Sequence, residues 1–318
     1  MRPEALTRRT LLALGLAPLG VQGADCPPAA RLGPGLCDAN GDLQADAPAD
    51  PRQWIDPDPL VMADVPTSDM TARAARAEPF RQHLERQLQR RVSYFIARDY
   101  ADLITAFHAQ RVHLLNVHTG SVEQEVVCGG YVPIAQPIEP DGELAGYRME
   151  IVVPADSPLR RVEDLKARTL TLVDERSASG YKLPRALLER EFRMRAGREY
   201  QVNFSGRHDN SIMGVANGLY EAAAVGSAVR TDLLRQKLLD PDSLRVIYTS
   251  PLLPHSPWGV SHRLHPQLVE QLRKALVAYD GPDHVLQSGS RFRAADYRRD
   301  WGFMRELNRS VGEQPSCR

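Results

Sequence analysis

From Leu60 onward the chain alternates short apolar runs with amphipathic stretches, and this alternation restricts the possible folds more than any other feature. Leu60-Val61-Met62-Ala63 reads as a strand, and residues 72–89 carry apolar side chains at helical spacing between charged faces. Residues 92–96, 112–117, 131–138 and 147–153 read as strands, with helices over 100–109 and from His118 through Val127. A second series begins near Asp156. Its strands are 169–173, 200–204, 222–225 and 245–249, and its helices are 162–165, 181–192, 208–217 and 229–238. Prolines cluster at 251, 254 and 257, then a strand at 258–261 and a strongly amphipathic helix at 265–279 follow. Strand, helix, strand in this order predicts an α/β fold with mostly parallel sheets. The 318 residues suffice for two domains.

What precedes the alternation sets the compartment. Arg8-Arg9, an apolar run over 11–21 and Gly23-Ala24 form the pattern of a secretory signal over residues 1–24, in its twin-arginine version. The apolar run is too short to span a bilayer, so we expect export to the periplasm rather than a retained anchor. Residues 25–57 read as a proline-rich lead. All four cysteines follow the signal, where disulfides are permitted. Cys26 and Cys37 flank a Pro/Gly-rich loop and suggest a local staple, while the partners of Cys128 and Cys317 stay open. Asp38, Asn40, Asp42 and Asp46 offer oxygens that a calcium ion would accept if the loop curled. The glycine and glutamate of a calcium-binding hand are out of register, so a solvated acidic turn is the expectation. Lys plus Arg equals Asp plus Glu at 40 each, which argues against a broad nucleic-acid surface but not against a small polar pocket.

In open α/β sheets ligands sit at the carboxyl ends of strands, where helix beginnings offer unpaired N–H groups and a positive dipole end. Three junctions of this kind are rich in Gly, Ser, Thr and His: His118-Thr119-Gly120-Ser121, Ser177-Ala178-Ser179-Gly180-Tyr181, and Ser205-Gly206-Arg207-His208. One such junction alone is an ordinary helix cap. Three on one chain point to an anion held by hydroxyls and amides. No nucleophile elbow, zinc-protease motif or phosphate loop is present, and the nine histidines are scattered without a convincing zinc-ligand set. We therefore expect no metal, no cofactor and no catalysis. An exported hydrolase built on a scattered Ser/His/Asp set is the remaining enzymatic reading.

These junctions carry a resemblance. Phe204-Ser-Gly-Arg-His208-Asp-Asn, continuing to Asn217-Gly and Glu221-Ala-Ala-Ala-Val225, resembles the phosphate/phosphite/phosphonate-binding proteins of ABC importers. The loop at 177–188 and the proline-rich return at 250–258 are similar to the same family, and the likeness runs over roughly residues 58–276. The resemblance implies a two-lobed type 2 periplasmic binding fold with a hinge and an interlobe cleft. Lobe 1 would take residues 58–153 and 254–318, and lobe 2 residues 154–253. It implies a ligand set of Ser177, Ser179, Gly180, Tyr181 and His208 from lobe 2, with Ser68, His118, Thr119 and Ser121 from lobe 1. It also implies a monomer that closes on a small oxyanion and docks on an ABC permease. Ala178 departs from the family's middle loop threonine. His255-Ser256 replaces the family's Asn-Asp, removing a carboxylate that would meet a substrate amine, so an amine-free ligand is expected. Cys128 suits a second branch, the arsenite sensors, in which a thiolate binds trivalent arsenic and the partner is a histidine kinase. A buried, inert cysteine and a disulfide are the alternatives at that position.

Overall fold

The computed structural model describes residues 26–281, 291–310 and 312–317; the expected secretory signal lies outside them. Eleven strands are present among these residues: β1 (Leu60–Ala63), β2 (Val92–Tyr94), β3 (Leu114–Asn116), β4 (Tyr131–Ile138), β5 (Gly146–Pro154), β6 (Thr169–Leu172), β7 (Gln201–Phe204), β8 (Ala222–Gly226), β9 (Leu244–Pro254), β10 (Trp258–Ser261) and β11 (Arg291–Ala294). They form two sheets, ordered β11-β4-β10-β3-β1-β2 and β7-β6-β8-β5-β9. Each has a parallel core, β2-β1-β3 in the first and β7-β6-β8 in the second. Each core is then extended by antiparallel strands.

Burial explains the core strands. Leu60, Met62 and Ala63 of β1 and all five residues of β8 are buried, as both-face burial in a parallel core requires. Aspartates fix where several helices start. Asp69 accepts from Thr71 and Ala72 N–H at 2.9 and 3.1 Å, and Asp99 from Asp102 N–H at 2.8 Å. The expected single helix over 72–89 is two, Met70–Arg76 and Glu78–Leu88. Pro79 has no N–H to continue the first helix but suits the first turn of the second.

The lobe limit differs from expectation at the first crossing. Strand β5, expected in lobe 1, pairs with β8 and β9 and so lies in the second sheet. The chain therefore leaves the first sheet between Ile138 and Gly146. It returns between Pro254 and Trp258, because β9 runs on through Pro251 as an edge strand, where a missing donor is tolerated. The two crossings lie side by side: Gly146 pairs with Pro254, and His255 N–H donates to Ala145 O at 3.0 Å.

The two lobes touch across the cleft. Lys182 Nζ donates to Gly120 O at 2.8 Å, Asp209 N–H to Thr67 O at 3.4 Å, and Arg76 to Gln236 Oε1 at 3.0 Å. Cys26 is disulfide-bonded to Cys37, and Cys128 to Cys317. The acidic turn spends its oxygens on the backbone: Asp38 accepts from Asp42 and Leu43 N–H, and Asp42 from Gln44 N–H. No helix among the described residues is long and apolar enough to cross a membrane.

Candidate ligand-binding site

The carboxyl ends of the parallel strands of both sheets face one another around a cavity. It has about 60 Å³ open to the centre of a water-sized sphere, room for a ligand of a few heavy atoms. From the first sheet, Asp64 follows β1, Asn116 ends β3, and His118 and Thr119 lead into the helix Val122–Gly129. From the second, Ser177 and Ala178 follow β6, His208 opens the helix His208–Ala216 after β7, and Gly226 ends β8 ahead of the helix Ser227–Arg235. Tyr147 of β5 and His255-Ser256 of the returning crossing close the hinge side.

The orientation of His208 is set by its neighbours. Its Nδ1 accepts the Gly226 N–H at 3.1 Å, so in the neutral ring the proton sits on Nε2. Nε2 lies 3.3 Å from Ser177 Oγ and donates to it. Gly180 N–H also donates to Ser177 Oγ, at 3.0 Å. With two hydrogen bonds accepted, the Ser177 hydroxyl keeps its own hydrogen for the cavity or for the Tyr100 phenol beside it. Burial pushes the His208 pKa down to about 4, so the ring is a neutral donor near neutral pH. This pairing is unlike that of a serine hydrolase. The nitrogen facing the serine already carries the proton and cannot take another from it.

The other polar groups of the wall are also uncharged or compensated. His118 is buried against Tyr100, with ring centroids 4.2 Å apart, and neither ring nitrogen has a protein partner. Burial, then the nearby Arg176, Lys182 and His208, hold its pKa well below the usual histidine range. Burial, then Arg73, bring His255 down to about 4, and its ring stacks on Tyr147 at 5.1 Å. Burial raises the Tyr147 phenol, against hydrogen bonds to Thr119 and Ser179 that act the other way. The one carboxylate of the wall, Asp64, is paired with the buried guanidinium of Arg73, whose Nε donates at 2.8 Å; its other oxygen accepts Val65 N–H at 2.9 Å.

Of the residues expected from sequence, His118, Thr119, Ser177 and His208 line this cavity, and the Ser179 hydroxyl sits behind it against Tyr147. Ser68 and Ser121 are buried but do not line it. The Gly180 N–H is committed to Ser177 and does not face the ligand space. Tyr181 packs on Phe204, 5.9 Å between centroids, and borders an outer groove. Cys128 corrects the arsenic expectation. It lies at the carboxyl end of the helix whose other end meets the cavity, roughly 10 Å away along the axis. Its sulfur is bonded to that of Cys317, so no thiolate is there to bind arsenic. Sequence reading missed Asp64, Tyr100, Asn116, Tyr147 and Gly226, and met His255-Ser256 only as a departure from a motif. Asp64, Asn116 and Gly226 stand at strand ends, where the rule already in use finds them. The two tyrosines enter from a helix start and a hinge strand and leave no local signal.

Comparison with known proteins agrees with this architecture. A family model described as the phosphonate ABC transporter periplasmic substrate-binding protein matches residues 62–299. The phosphate-import protein PhnD of Mycolicibacterium smegmatis is 25% identical over 233 residues, 70% of this chain and 72% of its own. A phosphonates-binding periplasmic protein of Escherichia coli K12 is 27% identical over 186 residues, 56% of this chain and 54% of its own, so the chain spans about half of it. Among solved structures, PhnD1 of Prochlorococcus marinus in complex with methylphosphonate superposes with a TM-score of 0.69 at 21% identity, covering 81% of this chain and 100% of that one. A binding protein component of an ABC phosphonate transporter from Pseudomonas aeruginosa gives 0.67 at 21% identity, covering 80% and 89%.

Proposed function

Since the chain belongs to the periplasmic substrate-binding proteins of ABC phosphonate transporters, we propose that it captures a small, amine-free phosphorus oxyanion by hinge closure. Phosphate, phosphite and methylphosphonate are the candidates, and a membrane permease receives the ligand. The observation that carries this reading is convergence: Thr119, Ser177 and His208, from three helix beginnings in both lobes, share one small cavity. The Ser177 hydroxyl, held by His208 Nε2–H and Gly180 N–H, keeps its hydrogen for the ligand in a dry space, where a hydrogen bond is stronger than in water. The lack of an unpaired carboxylate among the described lining residues supports an amine-free ligand, since Asp64 is already held by Arg73.

No bond is made or broken in this role. The Ser177–His208 pair supports that reading, because its proton sits on the wrong nitrogen for nucleophile activation. We take the protein to act as a monomer in the periplasm, delivered by its twin-arginine signal. A permease is the partner that family membership favours over a histidine kinase.

The test is a thermal-shift panel of phosphate, phosphite, methylphosphonate, 2-aminoethylphosphonate, arsenate and arsenite, followed by calorimetry. A concentration-dependent rise in midpoint with at least one amine-free phosphorus oxyanion is expected, with one-to-one heat and no product. Silence from all three, or turnover of any ligand, overturns the proposal.

A further inference from the structure

The charges around the cavity say more about the ligand than its size does. Every cation close to the site is already engaged or set back from it. The guanidinium of Arg73 is buried and spent on Asp64, and the Lys182 ammonium is held by Gly120 O and Glu313. The Arg176 guanidinium reaches Asp174 at 3.4 Å and is half exposed. No lysine or arginine lines the cavity among the described residues. What remains to meet an anion is a set of neutral donors and the beginnings of helices, each helix end worth about half an elementary charge. Such a wall suits one negative charge. A second would be buried without a counter-ion and beside a carboxylate.

We propose that Asp64 makes this site selective for a singly charged phosphorus oxyanion that keeps one P–OH, with the Asp64 carboxylate accepting that proton in a hydrogen bond. Asp64 is 3% exposed and stands on the wall directly after β1. Of its oxygens, one takes the Arg73 fork and the other accepts Val65 N–H at 2.9 Å; a carboxylate oxygen has a second lone pair, and Asp64 lines the cavity. A fully ionised phosphonate offers that lone pair no hydrogen and sets a second negative charge against it. The singly protonated form supplies the donor.

The other titratable groups facing the ligand are Tyr100, His118, Tyr147, His208 and His255. The phenols are raised and the imidazoles lowered by burial, so none changes charge near neutral pH. Farther out, Asp174 and Asp209 act on Tyr100, and Asp232 on Arg73. Any steep dependence of affinity on pH there therefore reports the ligand's own second ionisation.

This inference rests on the phosphorus-oxyanion reading, and the experiment separates the two. The full-length protein is titrated by calorimetry with methylphosphonate at a series of pH values across that ligand's second ionisation. Dimethylphosphinate, which keeps a single charge throughout, is run in parallel. The expected result is a methylphosphonate affinity that falls about tenfold per pH unit above the second ionisation, with a flat profile for dimethylphosphinate. Methylphosphonate affinity that holds or rises overturns the selectivity and leaves the phosphorus reading standing. If methylphosphonate does not bind, phosphite and phosphate are titrated across their own second ionisations in its place, and silence from all three withdraws both. In Asp64→Asn, Arg73 has lost its counter-charge, and the fall is expected to flatten or reverse. A folded variant that keeps the wild-type slope also overturns the role of Asp64. If the variant does not fold, the wild-type profile decides alone.

Discussion

His208 shows how one side chain links the backbone of one strand to the ligand. It accepts from the last residue of β8 and donates to the serine that follows β6, so it braces two of the four helix beginnings that meet at the cavity. Substituting His208→Ala removes both bonds and orphans the buried Gly226 N–H. We expect binding of the preferred oxyanion to weaken by roughly 1–3 kcal/mol, the range for a lost buried hydrogen bond. Calorimetry on the variant, after circular dichroism shows it folded, checks this; an unchanged dissociation constant removes His208 from the site. The residue was legible because a histidine at a helix start, in the Ser205-Gly206-Arg207-His208 junction after a strand, stands out against ordinary caps. Asp64 was not. Its importance arises from Arg73, nine positions later, folding back onto it.

At the scale of elements, periodicity found the strands of both parallel cores, but the sheets are not mostly parallel as expected: five of the nine strand pairings are antiparallel. It could not assign β5 to a sheet, since an antiparallel strand between two lobes has no local mark of its neighbour. Nor did it carry β9 through Pro251, because proline forbids a strand only where its N–H is needed. Elements of opposite lobes approach closely at Gly120. A Cβ there would come within 2.2 Å of Arg176 O and 2.8 Å of Ala178 N, both backbone atoms of the other lobe. Gly120 has no unusual backbone angle, so only closure requires the glycine. We expect Gly120→Ala to hold the two lobes apart at this contact, because both clashing atoms are backbone and cannot swing aside. Affinity should fall by at least tenfold, as the lobes can no longer meet. Equal affinity would mean that the contact is not part of the bound state.

For the molecule as a whole, the chain ends matter as much as the cleft. The carboxyl-terminal helix Gly302–Ser310 lies on the first lobe, where Asn308 donates to Glu123 at 2.7 Å. Cys317 returns to that lobe through Cys128, with Gln124 hydrogen-bonded to Ser316 on both sides. Between these anchors Glu313 reaches Lys182 in the second lobe, so the tail straps the rim of the cleft. The disulfide closes a loop of 189 residues, and long loops gain the most from cross-linking. Replacing both cysteines by serine should cost about 2–5 kcal/mol of stability in denaturant titration. Ligand affinity should change only severalfold, because a partly exposed ion pair such as Glu313–Lys182 contributes about 0–1 kcal/mol. Cys317→Ser alone separates structure from chemistry, since it frees the Cys128 thiol without moving it to the cavity. That variant should give no arsenite-dependent rise in melting midpoint. A rise that disappears in the double variant would place a thiolate in the binding chemistry and contradict the neutral-donor site derived above.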